Sequence, residues 1–378
     1  MIPSENILYD TRAWAILSRS FELERTAGTY LFYGPDGVGR WLLAVSFAAL
    51  LNCEKPERSD SEAKMLVPCG QCRNCRNIFA LNFEGLQFAV PIPPHENKPE
   101  KAVEFTAEFI QQKKQEPFRI ISDVKTQTIP ISIARMIKKN LSLKADSEIR
   151  RVVVFYQMEK MLLSSGDALL KMIEEPPADT VIIIITSNPD SLLKTIQSRS
   201  QKIKVDRQPP QVIEKYLAGH YKVSTKKAQL VARISEGSVG RALDALGSDN
   251  EDDVSSRAVA FLLFKSLFLD PAPDTLAHMN DVLNLRDRGE AEELLRLWQL
   301  LIRDCAGMAV TSDEGEITNV DFAGDIGRLS GYFADSRLTV RMTEDIKNTL
   351  ADLRLNVHIQ GALMALALKL KRNISAVN

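Results

Sequence analysis

The sequence predicts an α/β domain built on a mostly parallel sheet, followed by a second half made of helices. Three observations lead there. Over residues 1–205, short apolar runs rich in β-branched residues alternate with segments of helical periodicity, the pattern of βαβ units. A glycine-rich turn joins the first of these runs to the first long apolar helix. Beyond Pro209 and Pro210, no run reads as a strand.

Taken in order, residues 29–33 (TYLFY) read as a short buried strand, 34–40 as the glycine-rich turn and 41–51 as a helix. Residues 118–121 form a possible strand, and 131–141 an amphipathic helix. The continuous run 151–155 (RVVVF) is a strand covered on both faces. Residues 165–173 are helical in period and stop at Pro176 and Pro177, since proline cannot continue a helix. A buried strand at 181–186, a short helix at 191–196 and an alternating strand at 201–205 close the series. Three short helices follow at 212–217, 225–234 and 239–246, then a polar, acidic linker at 247–253. From 254 to 372 the chain is helical again, with long amphipathic stretches at 288–308 and 350–370. The polar, proline-bearing stretch 91–116 reads as a surface insertion. The expected domains are 1–205, with an inserted module at about 53–75, then 206–249, then 250–378.

Composition removes several classes. Apolar residues are 45% and charged residues 26% of 378, which excludes a disordered chain, a collagen-like repeat and a disulfide mini-protein. Lys and Arg total 48 against 49 Asp and Glu, a net charge of −1, so the chain is not a free-standing, charge-driven nucleic-acid binder. No apolar run approaches the ~20 residues that span a bilayer. Met1 to Asn6 lack the basic and apolar regions of a signal peptide, so a cytoplasmic location without membrane contact is expected.

Four motifs carry possible chemistry. The first is GPDGVGRW at 34–41, between strand and helix, where a P-loop would stand. Gly34, Gly37 and Gly39 suit a turn whose backbone N–H groups cradle phosphate, but Arg40 stands at the lysine position and Trp41 at the Ser/Thr position. An indole offers no oxygen to Mg²⁺, which demands oxygen ligands. A plain glycine turn with no ligand satisfies the same spacing. The second motif is the end of strand 151–155. A P-loop ATPase places acidic groups there to order Mg²⁺ and the attacking water, and here the chain continues Tyr156-Gln157. Two halves of a hydrolytic site are missing together, which points to a P-loop fold that does not hydrolyse ATP.

The third motif is the cysteine cluster. Cys53, Cys69, Cys72 and Cys75 fall within 23 positions, and four thiolates can close a tetrahedral Zn²⁺ site. The alternative is a set of reduced, unliganded thiols. Cys305 lies beside Leu301 and Ile302 in an apolar helical pattern and reads as a core residue. The fourth is Arg199, between a short helix and a strand, a place where arginine commonly serves as a surface or helix-capping residue.

The stretches DALLKMIEEPP at 167–177 and SLLKTIQSR at 191–199 closely resemble the signature of the AAA+ clamp-loader subunits of bacterial DNA polymerase III. Those subunits also carry a four-cysteine zinc module after the P-loop helix. Residues 317–321, 336–338 and 355–356 resemble the C-terminal part of the same family, so the likeness runs through nearly the whole chain.

The resemblance implies an AAA+ P-loop-type domain with a zinc module, a small helical lid at 206–249 and a C-terminal helical collar that mediates oligomerisation. The missing lysine and acidic pair imply the non-hydrolysing delta-prime type, a stator. Its partners would be the gamma/tau and delta subunits, with the sliding clamp and primer–template DNA bound by the complex. Arg199 matches the family's trans-acting arginine finger; Ser200 stands where the family has cysteine. Gly240 stands where a motor subunit carries its sensor arginine, and Arg241 follows one position late. The resemblance thus implies structural Zn²⁺ on Cys53, Cys69, Cys72 and Cys75 and no hydrolysis of ATP. The competing readings are a divergent, ATP-hydrolysing gamma/tau-like motor and a zinc-dependent nucleic-acid-binding module.

Overall fold

A chain with seven-residue runs such as TVIIIIT must bury both faces of a strand, and the fold provides that place. The computed structural model describes all residues except 1–6, 10, 61–62, 94–98, 122–127, 143–148, 162–171, 174, 222, 248–250, 283–287, 314–316, 356 and 377–378. The chain divides into two compact units. One comprises Met1–Thr225 with Ser235–Asp244, the other Lys226–Ile234 with Ala245–Asn378.

The first unit runs α1 (Arg12–Glu22), β1 (Thr29–Tyr33), α2 (Arg40–Leu51), β2 (Glu57–Arg58), β3 (Leu66–Val67), α3 (Arg73–Phe79), β4 (Leu86–Ala89), α4 (Pro99–Gln115), α5 (Ile131–Ser142), β5 (Arg151–Tyr156), β6 (Thr180–Thr186), α6 (Lys194–Arg199), β7 (Gln201–Lys204) and α7 (Pro210–His220). Five strands form one sheet in the order β4-β5-β6-β1-β7, every neighbouring pair parallel. All seven residues of β6 are buried, as are Val152 to Tyr156 of β5, which is why these runs do not alternate with polar residues. β1 lies between β6 and β7, with Thr29 opposite Ile182 and Tyr30 opposite Gln201.

α2 buries every residue except Leu42 and Leu51, so it is a core helix rather than an amphipathic one. At its end Asn52 is buried; its side chain donates to Ala48 O (3.1 Å) and Arg150 O (3.0 Å) and accepts from Arg150 N (2.9 Å). This ties the end of α2 to the entry of β5. α1 begins at Thr11, whose hydroxyl accepts from Trp14 N at 3.3 Å.

Three differences from the sequence-based expectation concern this unit. Residues 118–121 form no strand. β4, a short run without β-branched residues, pairs with β5 although nothing in its composition announced it. The stretch 91–116 carries α4, whose Ala102, Phe109 and Lys113 are buried. Its apolar residues Phe105, Phe109 and Ile110 recur at helical spacing beneath a Lys/Glu-rich composition. The expected helix at 165–173 lies largely outside the described residues, though Met172 and Ile173 are buried.

The remaining helices are α8 (Thr225–Ile234), α9 (Val239–Gly247), α10 (Glu251–Leu269), α11 (Ala272–Val282), α12 (Arg288–Thr311), α13 (Ala323–Ser330), α14 (Ser336–Arg354) and α15 (Ile359–Ser375). The second unit packs around Phe264, Leu295 and Trp298, and the Trp298 indole donates to Ala260 O at 2.9 Å. Asp304, buried in α12, accepts from Thr318 N (3.1 Å), Asn319 N (2.8 Å) and Asn319 Nδ2 (2.7 Å), which fixes the chain after α12. The expected continuous helix at 350–370 is broken. α14 ends at Arg354, and His358 caps a new helix by accepting from Gly361 N at 3.2 Å.

Candidate functional site

In a parallel sheet the loops at the carboxyl ends of the strands share one rim and those at the amino ends share the other. The candidate residues separate onto these two rims. Gly34 to Arg40 leave the carboxyl end of β1 and open α2. Arg199 and the cysteine cluster lie at the amino rim, one just before β7 begins and the other beyond the end of α2, where Asn52 meets Arg150.

The glycine turn has the strained backbone its sequence suggests. Gly34, Gly37 and Gly39 have φ of 151°, 72° and 101°. A Cβ on Gly34 would sit 2.2 Å from Val205 O, so only glycine fits there. The turn's own carbonyls are engaged: Ser238 Oγ donates to Asp36 O (2.8 Å) and Gly240 N to Gly37 O (2.9 Å).

Arg40 is buried and ion-pairs with Asp36; its Nη1 is buried and has no hydrogen-bond partner among the described residues. Trp41 is stacked on Phe88 (4.7 Å, 25°) and meets Phe109 and Tyr156 edge-on at 5.5 and 5.8 Å. Its slot is therefore part of the core. Burial holds the Tyr156 phenol well above its ordinary value, so it stays neutral at pH 7. Gln157 follows in a left-handed conformation.

Over these rings stands Lys113 of α4, a residue that the sequence did not mark. Its Nζ is 5.0 Å from the Tyr156 ring centroid and 5.9 Å from those of Trp41 and Phe109, and it donates to Arg119 O at 2.5 Å. Burial, with the Arg40 charge adding to it, lowers its pKa to about 7, against the pull of Asp36 and Asp244; Arg119 lowers it further. The folded chain therefore binds fewer protons here than the unfolded chain from about pH 7 up to the ordinary lysine range, and stability rises with pH through that window. Lys113→Met should stabilise the fold by about 1–4 kcal/mol at pH 7. The gain should shrink towards pH 10. Urea unfolding at the two pH values checks this; equal or greater gain at the higher pH would refute it.

The cysteines converge. The sulfurs of Cys53, Cys69, Cys72 and Cys75 lie within 4.8 Å of one another, and Cys69 and Cys75 Sγ are 4.0 Å apart. Tetrahedral Zn²⁺ with Zn–S of roughly 2.3 Å needs sulfurs about 3.8 Å apart, so small adjustments would close the cage. Three sulfurs already accept backbone N–H bonds: Cys53 from Cys69 N (3.3 Å), Cys69 from Cys72 N (3.4 Å) and Cys72 from Cys75 N (3.4 Å). At Cys69 burial outweighs such donors and holds the thiol above its ordinary value, and at Cys75 the hydrogen bond to Cys53, with burial, raises the thiol. The Cys75 thiol bonded to Cys53 brings the Cys53 pKa down to about 5, and burial opposes it. This donor set is able to hold a metal ion.

The module is tied to its surroundings on two sides. Trp14 Nε1 donates to Leu66 O (3.1 Å) and Leu66 N to Ser18 Oγ (2.8 Å), while Asn74 Nδ2 donates to Asn52 O (3.0 Å).

Arg199 is the last residue of α6 and is exposed together with Ser198. The opposite face of that short helix is held firmly. Gln197 is buried, donates to Leu192 O (3.0 Å) and accepts from Lys202 Nζ (3.1 Å); Ser200 Oγ donates to Ile196 O (2.7 Å). Ser200 thus closes the helix end. The structure does not bring Arg199 to the chain's own glycine turn, which is at the other rim.

The five-stranded parallel sheet with a glycine-rich turn after its second-from-edge strand, joined to a helical C-terminal part, defines the class: an AAA+ P-loop-type fold with a four-cysteine cluster. A family model described as "DNA polymerase III, delta subunit" matches residues 9–209, and the chain belongs to that family. It is similar to DNA polymerase III subunit delta' of Bacillus subtilis, 25% identical over 256 residues that cover 68% of this chain and 64% of that protein. It is also similar to subunit delta' of Escherichia coli, 24% identical with 85% and 82% covered, and to subunit tau of Escherichia coli, 27% identical with 65% and 33% covered. The chain thus spans less than two thirds of the Bacillus relative and of tau. Among the described residues, no helix is long and apolar enough to cross a membrane.

Proposed function

We propose that this chain is a non-hydrolysing stator subunit of a DNA polymerase III clamp loader, helping to place the sliding clamp on primed DNA. Arg199 would serve as an arginine finger for the ATP site of a neighbouring gamma/tau motor subunit. The observation that carries the reading is the division between rims. The chain's own P-loop is built around Trp41 and Tyr156, which stand where a hydrolytic P-loop carries its hydroxyl and acidic Mg²⁺ ligands, while Arg199 is exposed at the opposite rim of the sheet. A group so placed is suited to act on a site outside its own domain, where its charge would stabilise the transferring phosphoryl group.

The cysteine cluster fits structural Zn²⁺ better than other metals, because four thiolates and no open position favour a closed tetrahedral site. The division into a P-loop domain (1–205), a lid (206–249) and an oligomerising helical domain (250–378) belongs to the same proposal.

The gamma/tau-like motor reading requires ATP turnover. The isolated chain is expected to hydrolyse no ATP above background, and to form a stable complex with gamma/tau and delta subunits on size exclusion. Turnover that co-purifies with the chain and is abolished by Arg40→Ala would establish a motor instead.

A further inference from the structure

The space in front of the glycine-rich turn is bounded by four features of the first unit: Gly39 at the start of α2, Leu8, Gly240 at the start of α9, and Tyr216 on α7. The N-terminus of α2 behind that turn is where phosphate would be drawn by the helix's unpaired N–H groups and dipole. Phe118 stands in this space. A Cβ on Gly39 would lie 2.7 Å from Phe118 Cε1 and 2.9 Å from Leu8 Cδ1; a Cβ on Gly240 would lie 2.5 Å from Phe118 O. The Phe118 ring meets Tyr216 edge-on at 5.6 Å and is 3% exposed.

Lys113, five residues earlier in the chain, fills the neighbouring space beside Arg40 and Asp36, above the Trp41 and Tyr156 rings. The hydrogen bond from its ammonium to Arg119 O closes residues 113–119 on themselves, so the ring and the cation are held as one piece. The box of Trp41, Phe109 and Tyr156 is filled by the Lys113 amine of the same chain.

We propose that residues 113–119 are a built-in occupant of the nucleotide cleft, with the Phe118 ring and the Lys113 side chain taking the room in front of the P-loop that a nucleotide would need. The cleft is then closed by packing, apart from any loss of catalytic groups. Restoring a P-loop with Arg40→Lys and Trp41→Thr leaves the occupant in place and gives no nucleotide site. This inference does not depend on what Arg199 does in a neighbour.

The test uses the full chain and MgADP as the probe, with calorimetry for binding and hydrogen exchange for occupancy. The wild-type chain is expected to show slow exchange at 113–119 and no measurable ADP binding. Phe118→Ala should bind ADP roughly tenfold or more tightly than wild type. Should that variant fail to fold, wild-type exchange at high ADP decides. Unchanged protection without binding, or binding that frees 113–119 as it protects the glycine turn, supports the occupant. ADP bound to wild type with 113–119 as protected as before would overturn it. So would fast exchange of 113–119 in the free protein, or a folded Phe118→Ala chain that binds ADP no better than wild type.

Discussion

Arg199→Ala is expected to lower ATP hydrolysis at one motor site of the reconstituted clamp loader by ~10³-fold or more, the scale of losing an arginine finger. The total rate of the complex should fall only in part, since the other motor sites do not use this residue. The variant should fold and assemble normally. Arg199 is exposed, and the end of α6 is held by Gln197 and Ser200, so the melting temperature should move by less than about 2 °C. Arg199→Lys should rescue poorly, because an ammonium cannot reproduce the planar, multi-donor guanidinium. The readout that separates a finger from a structural residue is single-turnover hydrolysis against complex formation measured on the same preparation. A variant that assembles and hydrolyses at the wild-type rate at every site would exclude Arg199 from the chemistry.

The second large effect is expected at the cysteine cluster. Structural Zn²⁺ contributes roughly 10–16 kcal/mol of apparent binding energy to small zinc modules. Cys75 is fully buried against the end of α2, so Cys75→Ser should reduce metal content from about one Zn²⁺ per chain to almost none. Hydrogen exchange across residues 53–79 should accelerate strongly, while β1, β5 and β6 remain protected, because the module is an insertion and the sheet's ladder does not pass through it. Acid should release the metal from the wild-type chain, as protons compete for the thiolates. Elemental analysis with exchange mapping checks both parts. A metal-free wild-type chain with an equally protected module would show that N–H bonds to sulfur and core packing hold it without zinc.

The parts of this molecule that were legible in its sequence are those where burial dictates composition. TYLFY, RVVVF and TVIIIIT have no polar alternation because both faces of a central parallel strand are covered, and each lies where that reasoning puts it. The cysteines were legible because thiols are rare and their spacing is short. α4 was not legible as a functional element. Its buried residues are outnumbered by solvated Lys and Glu, and the residue that matters most, Lys113, belongs to a type that is almost never buried. Phe118 lies in a run that the sequence offers as a strand and that forms none. Only tertiary contact with Gly39 and Tyr216 shows its place. The division of candidate residues between two rims is likewise a property of topology, and no local pattern could have announced it.

β1 pairs on one side with a strand beginning at Thr180 and on the other with one beginning at Gln201. A ribosome adding roughly 5–20 residues per second needs on the order of ten seconds or more to make the chain between TYLFY and its partners. Throughout that interval an aromatic segment meant for the interior of the sheet has no strand beside it, and pairing must finally close a loop of more than a hundred residues, an intrinsically slow step. Neighbouring helices of the second unit, such as α12 with α13 and α14 with α15, meet over far shorter separations, although α10 and α15 are joined across 104 residues, from Leu267 O to Lys371 Nζ. In the cell the vulnerable moment of this protein is therefore its birth.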